Sequence, residues 1–413
     1  MSTAKTILRN NERKMTRHEE FYRIQKLPPY VFEEVNKLKA KLRKEDVDII
    51  DFGFGNPDMP TPQHIIDKLV ETVQKPKTTG YSVSRGILGL RQACSRYYKR
   101  RFDVDLDPAE EIVATIGSKE GFANLAQAIT RPGDVIYAPD PSYPLHAFGF
   151  IIAGAEIQGI PAITADEYLA GVKEALRTAE KPPMAIVVCF PSNPTGQVAE
   201  LSFYEEIVQI AKEHNIIVLS DLAYSEIYFT DQKPPSIFQV AGAKDVAIET
   251  TSLSKTYSMA GWRMGFAVGS KHLIAALARV KSYLDYGAFT PIQVAACAAL
   301  DGPQDCVDHA RDVYRNRRDV LVDSFGRAGW DIPVPEASMF AWAKLPDGFA
   351  DMGSVEFAKT LMVEAHVAVS PGLGFGPNGD QYVRIAFVEN EHRIRQAARN
   401  IKLFLDCAKK QGA

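Results

Sequence analysis

Residues 60–300 of this chain read as a large α/β domain on a mostly parallel sheet, with a smaller α+β domain drawn from 28–55 and 305–413. Three observations carry that expectation. Short apolar runs recur through the middle of the chain, at 134–138, 184–190, 216–220, 246–250 and 264–268. They are apolar on successive residues rather than alternate ones, which suits strands buried on both faces. Between the second and third run, Ser202-Phe-Tyr-Glu205 has a capping-box pattern, Ile207, Ile210 and Ala211 keep helical spacing, and His214-Asn215 ends the helix. Strand, turn, helix and strand at that spacing make a βαβ unit. Finally, the texture changes near 305 to a long charged helix over 308–325, followed by short strands and turns. A chain of 413 residues also exceeds what one ordinary core holds.

Composition narrows the function. Hydrophobic residues at 46% and charged residues at 24% are the balance of a globular protein, and the net charge of −3 has both signs mixed along the chain. Neither a nucleic-acid nor a membrane partner is expected, and no stretch approaches 18 uninterrupted apolar residues. The five cysteines are far apart, with none in a Cys-x-x-Cys pair, which argues against a disulfide framework or a metal cluster. Residues 1–20 grow more charged without the apolar segment of a secretory signal. They are expected to form a mobile tail on a cytoplasmic protein.

One motif misleads. Gly374-Phe-Gly-Pro-Asn-Gly379 matches the dinucleotide fingerprint, but Pro377-Asn-Gly-Asp380 is a turn and Tyr382-Val-Arg-Ile-Ala-Phe387 reads as a strand. Without a helix after the glycines no helix N-terminus meets a pyrophosphate, so the segment is read as a connecting loop.

Five segments carry candidate chemistry. Ile116-Gly-Ser-Lys-Glu-Gly121 opens a helix with small residues, whose free N–H groups suit a phosphate. Pro191-Ser-Asn-Pro-Thr-Gly196 and Asp221-Leu-Ala-Tyr224 each follow a strand, where ligands bind in open α/β sheets. Thr250-Thr-Ser-Leu-Ser-Lys255 puts a lysine among hydroxyls at a further strand end, where its amine can be depressed into an imine-forming range. Gly261-Trp-Arg-Met-Gly265 offers a guanidinium for a phosphate. Each segment alone fits a cap, a turn or a solvated cation at least as well.

Together, and in this order, they resemble the fold-type-I pyridoxal-phosphate aminotransferases of classes I and II. Leu27-Pro-Pro-Tyr-Val-Phe32, Gly55-Asn-Pro-Asp58 and Gly80-Tyr-Ser-Val-Ser-Arg-Gly86 are most similar to the bacterial alanine transaminase group. The resemblance implies pyridoxal 5′-phosphate as cofactor, with Lys255 bonding it as a Schiff base and moving the proton. It implies that Asp221 pairs with the pyridine nitrogen, that Asn193 and Tyr224 meet the 3-oxygen, and that Tyr143 stacks on the ring. Ser118, Lys119, Ser252 and Arg263 would surround the phosphate, with Tyr81 arriving from the partner of a homodimer with shared active sites. Arg384, with the backbone at Gly55 and with Asn193, would bind the substrate.

The implied reaction is ping-pong transfer between amino acids and 2-oxo acids, with alanine and 2-oxoglutarate expected first. Transfer from aspartate or diaminopimelate, or lyase chemistry on the same scaffold, is the alternative. The stretch 283–290 matches the place where aspartate-specific relatives carry a partner arginine, yet it has no cation and carries Asp285. An arginine at Leu284 or Asp285 is therefore expected to favour aspartate. Tyr30, Tyr283 and Tyr286 are the candidates for the second carboxylate of 2-oxoglutarate.

Overall fold

The computed structural model describes residues 21–28 and 31–411. The expected tail at 1–20 and the candidate Tyr30 lie outside the described residues. Helix α1 (Val31–Lys44) is followed by the two-residue strand β1 (Ile50–Asp51). The central region then runs β2 (Ile112–Thr115), α2 (Ser118–Ile129), β3 (Val135–Asp140), α3 (Leu145–Ala153), β4 (Glu156–Pro161), β5 (Ala185–Val188), α4 (Leu201–His214), β6 (Ile217–Asp221), β7 (Ala247–Ser252), β8 (Gly265–Gly269) and α5 (Lys271–Leu284). The long helix α6 (Asp305–Ala328) leads to β9 (Phe340–Lys344), β10 (Val367–Ala368), β11 (Ser370–Pro371), β12 (Tyr382–Ala386) and α7 (Glu391–Gln411).

Seven strands form one sheet in the order β2-β8-β7-β6-β5-β3-β4. The pairs β3–β4, β3–β5, β5–β6 and β6–β7 are parallel. Strands β5, β7 and β8 are buried at every position, as apolar residues on both faces demand. The mostly parallel α/β sheet expected from the apolar runs is therefore present.

Strand β8 is the exception, antiparallel to both β7 and β2. Its reversal brings its first residue, Gly265, opposite the last residues of its neighbours, Ser252 and Thr115. One edge of the sheet thus collects the carboxyl ends of β2, β7, β6, β5 and β3 with the segment leading into β8. Ligand sites in such sheets lie at that edge.

Two local expectations need correction. The capping box at Ser202 does not form: α4 starts at Leu201, Glu200 stands at the N-cap, and no side chain caps it. A carboxylate at the positive end of the helix meets the same electrostatic need two residues earlier. The charged helix expected over 308–325 extends to Asp305–Ala328, where Gly329 at φ 93° closes it in the left-handed region.

The remaining strands make a three-stranded antiparallel sheet, β11-β12-β9, and the parallel pair β1–β10. Phe52, Phe325, Trp330, Phe340, Phe357 and Phe404 pack in their own apolar cluster beneath these sheets. Residues near 50 thus join residues beyond 305. Backbone bonds from Phe52 to Ala368 and from Ala386 to Phe52 lock the N-terminal stretch to β10 and β12.

Candidate active site

Lys255 sits on a single helical turn, Leu253–Thr256, directly after β7. The Ser252 side chain caps that turn by accepting from the Ser254 N–H. The cap fixes the direction of Lys255, whose Nζ donates to the Gly55 carbonyl at 2.6 Å. Burial pushes this amine down to about 8 from the ordinary 10.5, and the nearby Arg384 and Arg263 cations push the same way. A buried amine that is partly neutral near pH 7–8 is a nucleophile and a base.

The amine opens into a cavity of ≈ 510 Å³, within the usual range for small-molecule sites. Gly55, Ser118, Lys119, Tyr143, Asn193, Asp221, Tyr224, Ser252, Arg263 and Arg384 all line it. Sequence reasoning named each of them, and the sheet edge brings them together from segments far apart. Asp221 ends β6 with one oxygen 3.0 Å from His146 Nε2 and the other accepting from the Ala223 N–H at 3.2 Å. Tyr143 and Tyr224 are phenols raised by burial above their ordinary value.

At the outer end, Gly117 precedes α2 at φ 76° and no side chain caps the helix. A Cβ on Gly117 would overlap the Arg263 guanidinium, and one on Gly265 would lie 2.8 Å from the Ser118 nitrogen. Glycine at both positions leaves a cradle of backbone N–H groups beside a cation and the Ser118 and Ser252 hydroxyls. A dianionic phosphate fits that donor set. Lys119 reaches the same end, its Nζ 5.9 Å from the centre of the Tyr143 ring.

Arg384 lies opposite on β12. Its guanidinium donates to Asn193 Oδ1 at 2.9 Å and to the Gly53 carbonyl at 3.2 Å, between the rings of Phe340 and Phe375 at 4.0 and 4.6 Å. These carbonyl, amide and aromatic contacts orient the guanidinium.

Tyr81 is the exception among the predicted residues. It lies outside this cavity, 91% exposed, its ring 4.9 Å from that of Tyr286. Tyr283 and Tyr286 also lie outside it. Ser84 donates to the Asp285 carbonyl, and Gln293 donates to Ser82 at 2.8 Å, so 81–84 and 283–289 form one surface. The suggestion of an arginine at Asp285 is corrected. Asp285 pairs at 2.9 Å with Lys281, which is fully buried and also pairs with Glu120. An arginine there would set a second cation against a buried one.

Sequence reasoning missed His146, Phe340 and Phe375. His146 stands 75 residues from Asp221, and nothing local marks it. Phe375 had a signal: it sits inside the Gly-rich segment read as a connection. That segment forms two 3-10 turns and no helix, as expected, but it also delivers the ring onto Arg384. A Cβ on Gly374 would collide with Phe32, so the glycine makes room for α1 against the turn.

A buried amine, an acid, an anion cradle and an arginine on one cavity suit chemistry on a carbonyl compound through a lysine. Comparison with known proteins narrows the class. Residues 47–401 match the family model of class I and II aminotransferases. The chain is 60% identical to a putative aminotransferase, AatC, of Rhizobium meliloti, over 94% of this chain and 96% of that protein. It is 52% identical to the glutamate-pyruvate aminotransferase AlaC of Escherichia coli, over 92% and 93%. The substrate-bound BacF structure from Bacillus subtilis superposes with a TM-score of 0.86 at 35% identity, covering 92% of this chain and 96% of that one. The chain belongs to the class I and II aminotransferases, enzymes that exchange an amino group between amino acids and 2-oxo acids.

The amine carries a direct test. In protein stripped of any cofactor, competitive labelling of Lys255 is expected to titrate near pH 8, well below a surface lysine. Arg384→Leu removes a cation that disfavours the ammonium, so the midpoint rises. A wild-type midpoint at 10 or above contradicts the buried site.

Proposed function

We propose that this chain is a pyridoxal-phosphate aminotransferase that passes the amino group of L-alanine to 2-oxoglutarate, giving pyruvate and glutamate. The observation that carries the cofactor assignment is the convergence of Lys255, Asp221, the Gly117–Arg263 cradle and Arg384 on one cavity. When bound, pyridoxal phosphate supplies the aldehyde that bonds an amine and a ring that accepts the electron pair left at the substrate Cα.

This chain's residues do the rest. Asp221, held by His146, would keep a proton on the ring nitrogen, and Tyr224 and Asn193 would serve the 3-oxygen. Tyr143 would pack against the ring. Ser118, Lys119, Ser252 and Arg263, with Tyr81 of the partner subunit, would hold the phosphate, so that the cofactor would stay bound between the two halves of a ping-pong cycle. Arg384 would grip the α-carboxylate with help from Gly55 and Asn193, and so would orient the substrate Cα. Lys255, as a free amine, would hold and move the proton at Cα.

Alanine is supported by the kinship with the glutamate-pyruvate enzyme and by the segment 283–290. That segment has no cation, and Asp285 is already committed to Lys281. A second carboxylate on the donor would lack a charged partner there, and an unpaired buried charge is costly; that of 2-oxoglutarate must instead be met by hydroxyls or backbone N–H groups. The expected order of kcat/KM with 2-oxoglutarate is alanine above aspartate and above a long diamino acid. Leu284→Arg should raise aspartate relative to alanine. A tenfold preference of wild type for aspartate or the diamino acid, about 1.4 kcal/mol, would overturn the substrate assignment.

The exposed surface of Tyr81, Val83, Tyr283, Leu284, Tyr286 and Phe289 supports a homodimer, with its apolar rings covered by a second copy. Mixing inactive Tyr81→Ala and Lys255→Ala proteins should restore partial activity, because one site of each heterodimer escapes both lesions. A fully active monomer at high dilution contradicts the shared site.

A further inference from the structure

Residues 53–58 cross from the small-sheet region to the cavity, and each end of this strap is tied down. At its start, the Gly53 carbonyl accepts from Arg384 at 3.2 Å and from the Ser370 hydroxyl at 2.5 Å. In its middle, Phe54 is exposed at the cavity wall while the Gly55 carbonyl accepts from Lys255. At its end, Asp58 takes two parallel hydrogen bonds from Arg317 of α6, at 2.7 and 2.8 Å.

Arg317 does more than meet Asp58. Its Nη1 also donates at 3.2 Å to the carbonyl of Phe387, which follows the strand that carries Arg384. One largely buried guanidinium therefore holds the strap and the end of β12 in a fixed relation. Neither Asp58 nor Arg317 lines the cavity.

Resting on the aminotransferase reading above, we infer that the Asp58–Arg317 pair is a positioning device for the reaction. It holds the strap so that the Gly53 and Gly55 carbonyls keep Arg384 and Lys255 in register across the substrate. The planar fork matters, because two parallel bonds fix an orientation that a single ammonium contact leaves free. Without the pair, the strap keeps its contacts with Asp51, Ser370 and Arg384 at Gly53 and with Lys255 at Gly55. Its far end is then released to water.

A positioning role predicts an effect on substrate binding and on the environment of Lys255, beyond any effect on stability. Asp58→Ala should lower kcat/KM for alanine at least tenfold, with KM rising as Arg384 loses its setting and kcat falling as Lys255 leaves register. In cofactor-free Asp58→Ala protein, the strap no longer shields Lys255. Burial is the largest cause of its depressed titration, so the labelling midpoint should rise above the wild-type value. Asp58→Glu, which restores a carboxylate, should recover most of both effects, and Arg317→Lys should recover little.

Wild-type protein in the same assays separates the two claims, because failure of wild type to transaminate strikes the parent reading alone. If Asp58→Ala lowers the melting temperature but leaves both kcat/KM and the Lys255 midpoint at wild-type values, the pair is only structural and the inference falls. It falls equally if Arg317→Lys behaves as wild type in both measurements.

Discussion

The site is organised around an amine taken out of water and placed near two cations. Moving the Lys255 titration from 10.5 to about 8 amounts to roughly 3 kcal/mol against the ammonium. That penalty is what makes the lysine chemically useful near neutral pH. The fold sustains it by burying the lysine at the end of a strand that is itself buried at every position. Arg384 and Arg263 lie near the lysine, and both disfavour the charged form. In the proposed reaction, Arg384 would take the substrate carboxylate and Arg263 the cofactor phosphate.

Those groups meet through sheet topology rather than sequence proximity. With β8 reversed, Arg263 reaches the edge that carries Ser252 and Asp221, and the register Ser252↔Gly265↔Thr115 sets Gly117 and Ser118 beside it. Had β8 run parallel to β7, the segment containing Arg263 would have arrived at the opposite edge. The glycines at 117 and 265 let backbone approach backbone there, so the cradle is built from N–H groups that no side-chain cap consumes. Arg384 comes from a different layer altogether. Its position depends on the small sheet, on the Phe340 and Phe375 rings and on the strap at 53–58.

What the sequence disclosed follows from how local each signal is. The buried strands declare themselves by consecutive apolar residues, and the lysine, aspartate and arginine segments sit just beyond them, so most of the cavity lining was legible. The capping pattern at Ser202 was not decisive, because Glu200, two residues earlier, met the same end of the helix. His146 was invisible because its meaning comes from Asp221, to which it is joined only by folding. Phe375 was hidden inside a glycine pattern whose stronger association was with nucleotides. The pairing of Asp285 with Lys281 was overlooked for a different reason: the two stand four apart, but only burial of the lysine makes the pair costly to disturb.

The proposed chemistry requires that Lys255, and no other lysine, bonds the aldehyde of the cofactor. Incubation with pyridoxal phosphate, reduction with borohydride and peptide mapping test it most directly. The account predicts a single reduced adduct per chain, on Lys255. Reduction fixed at a different lysine, or spread over the surface lysines with Lys255 unmodified, would contradict it.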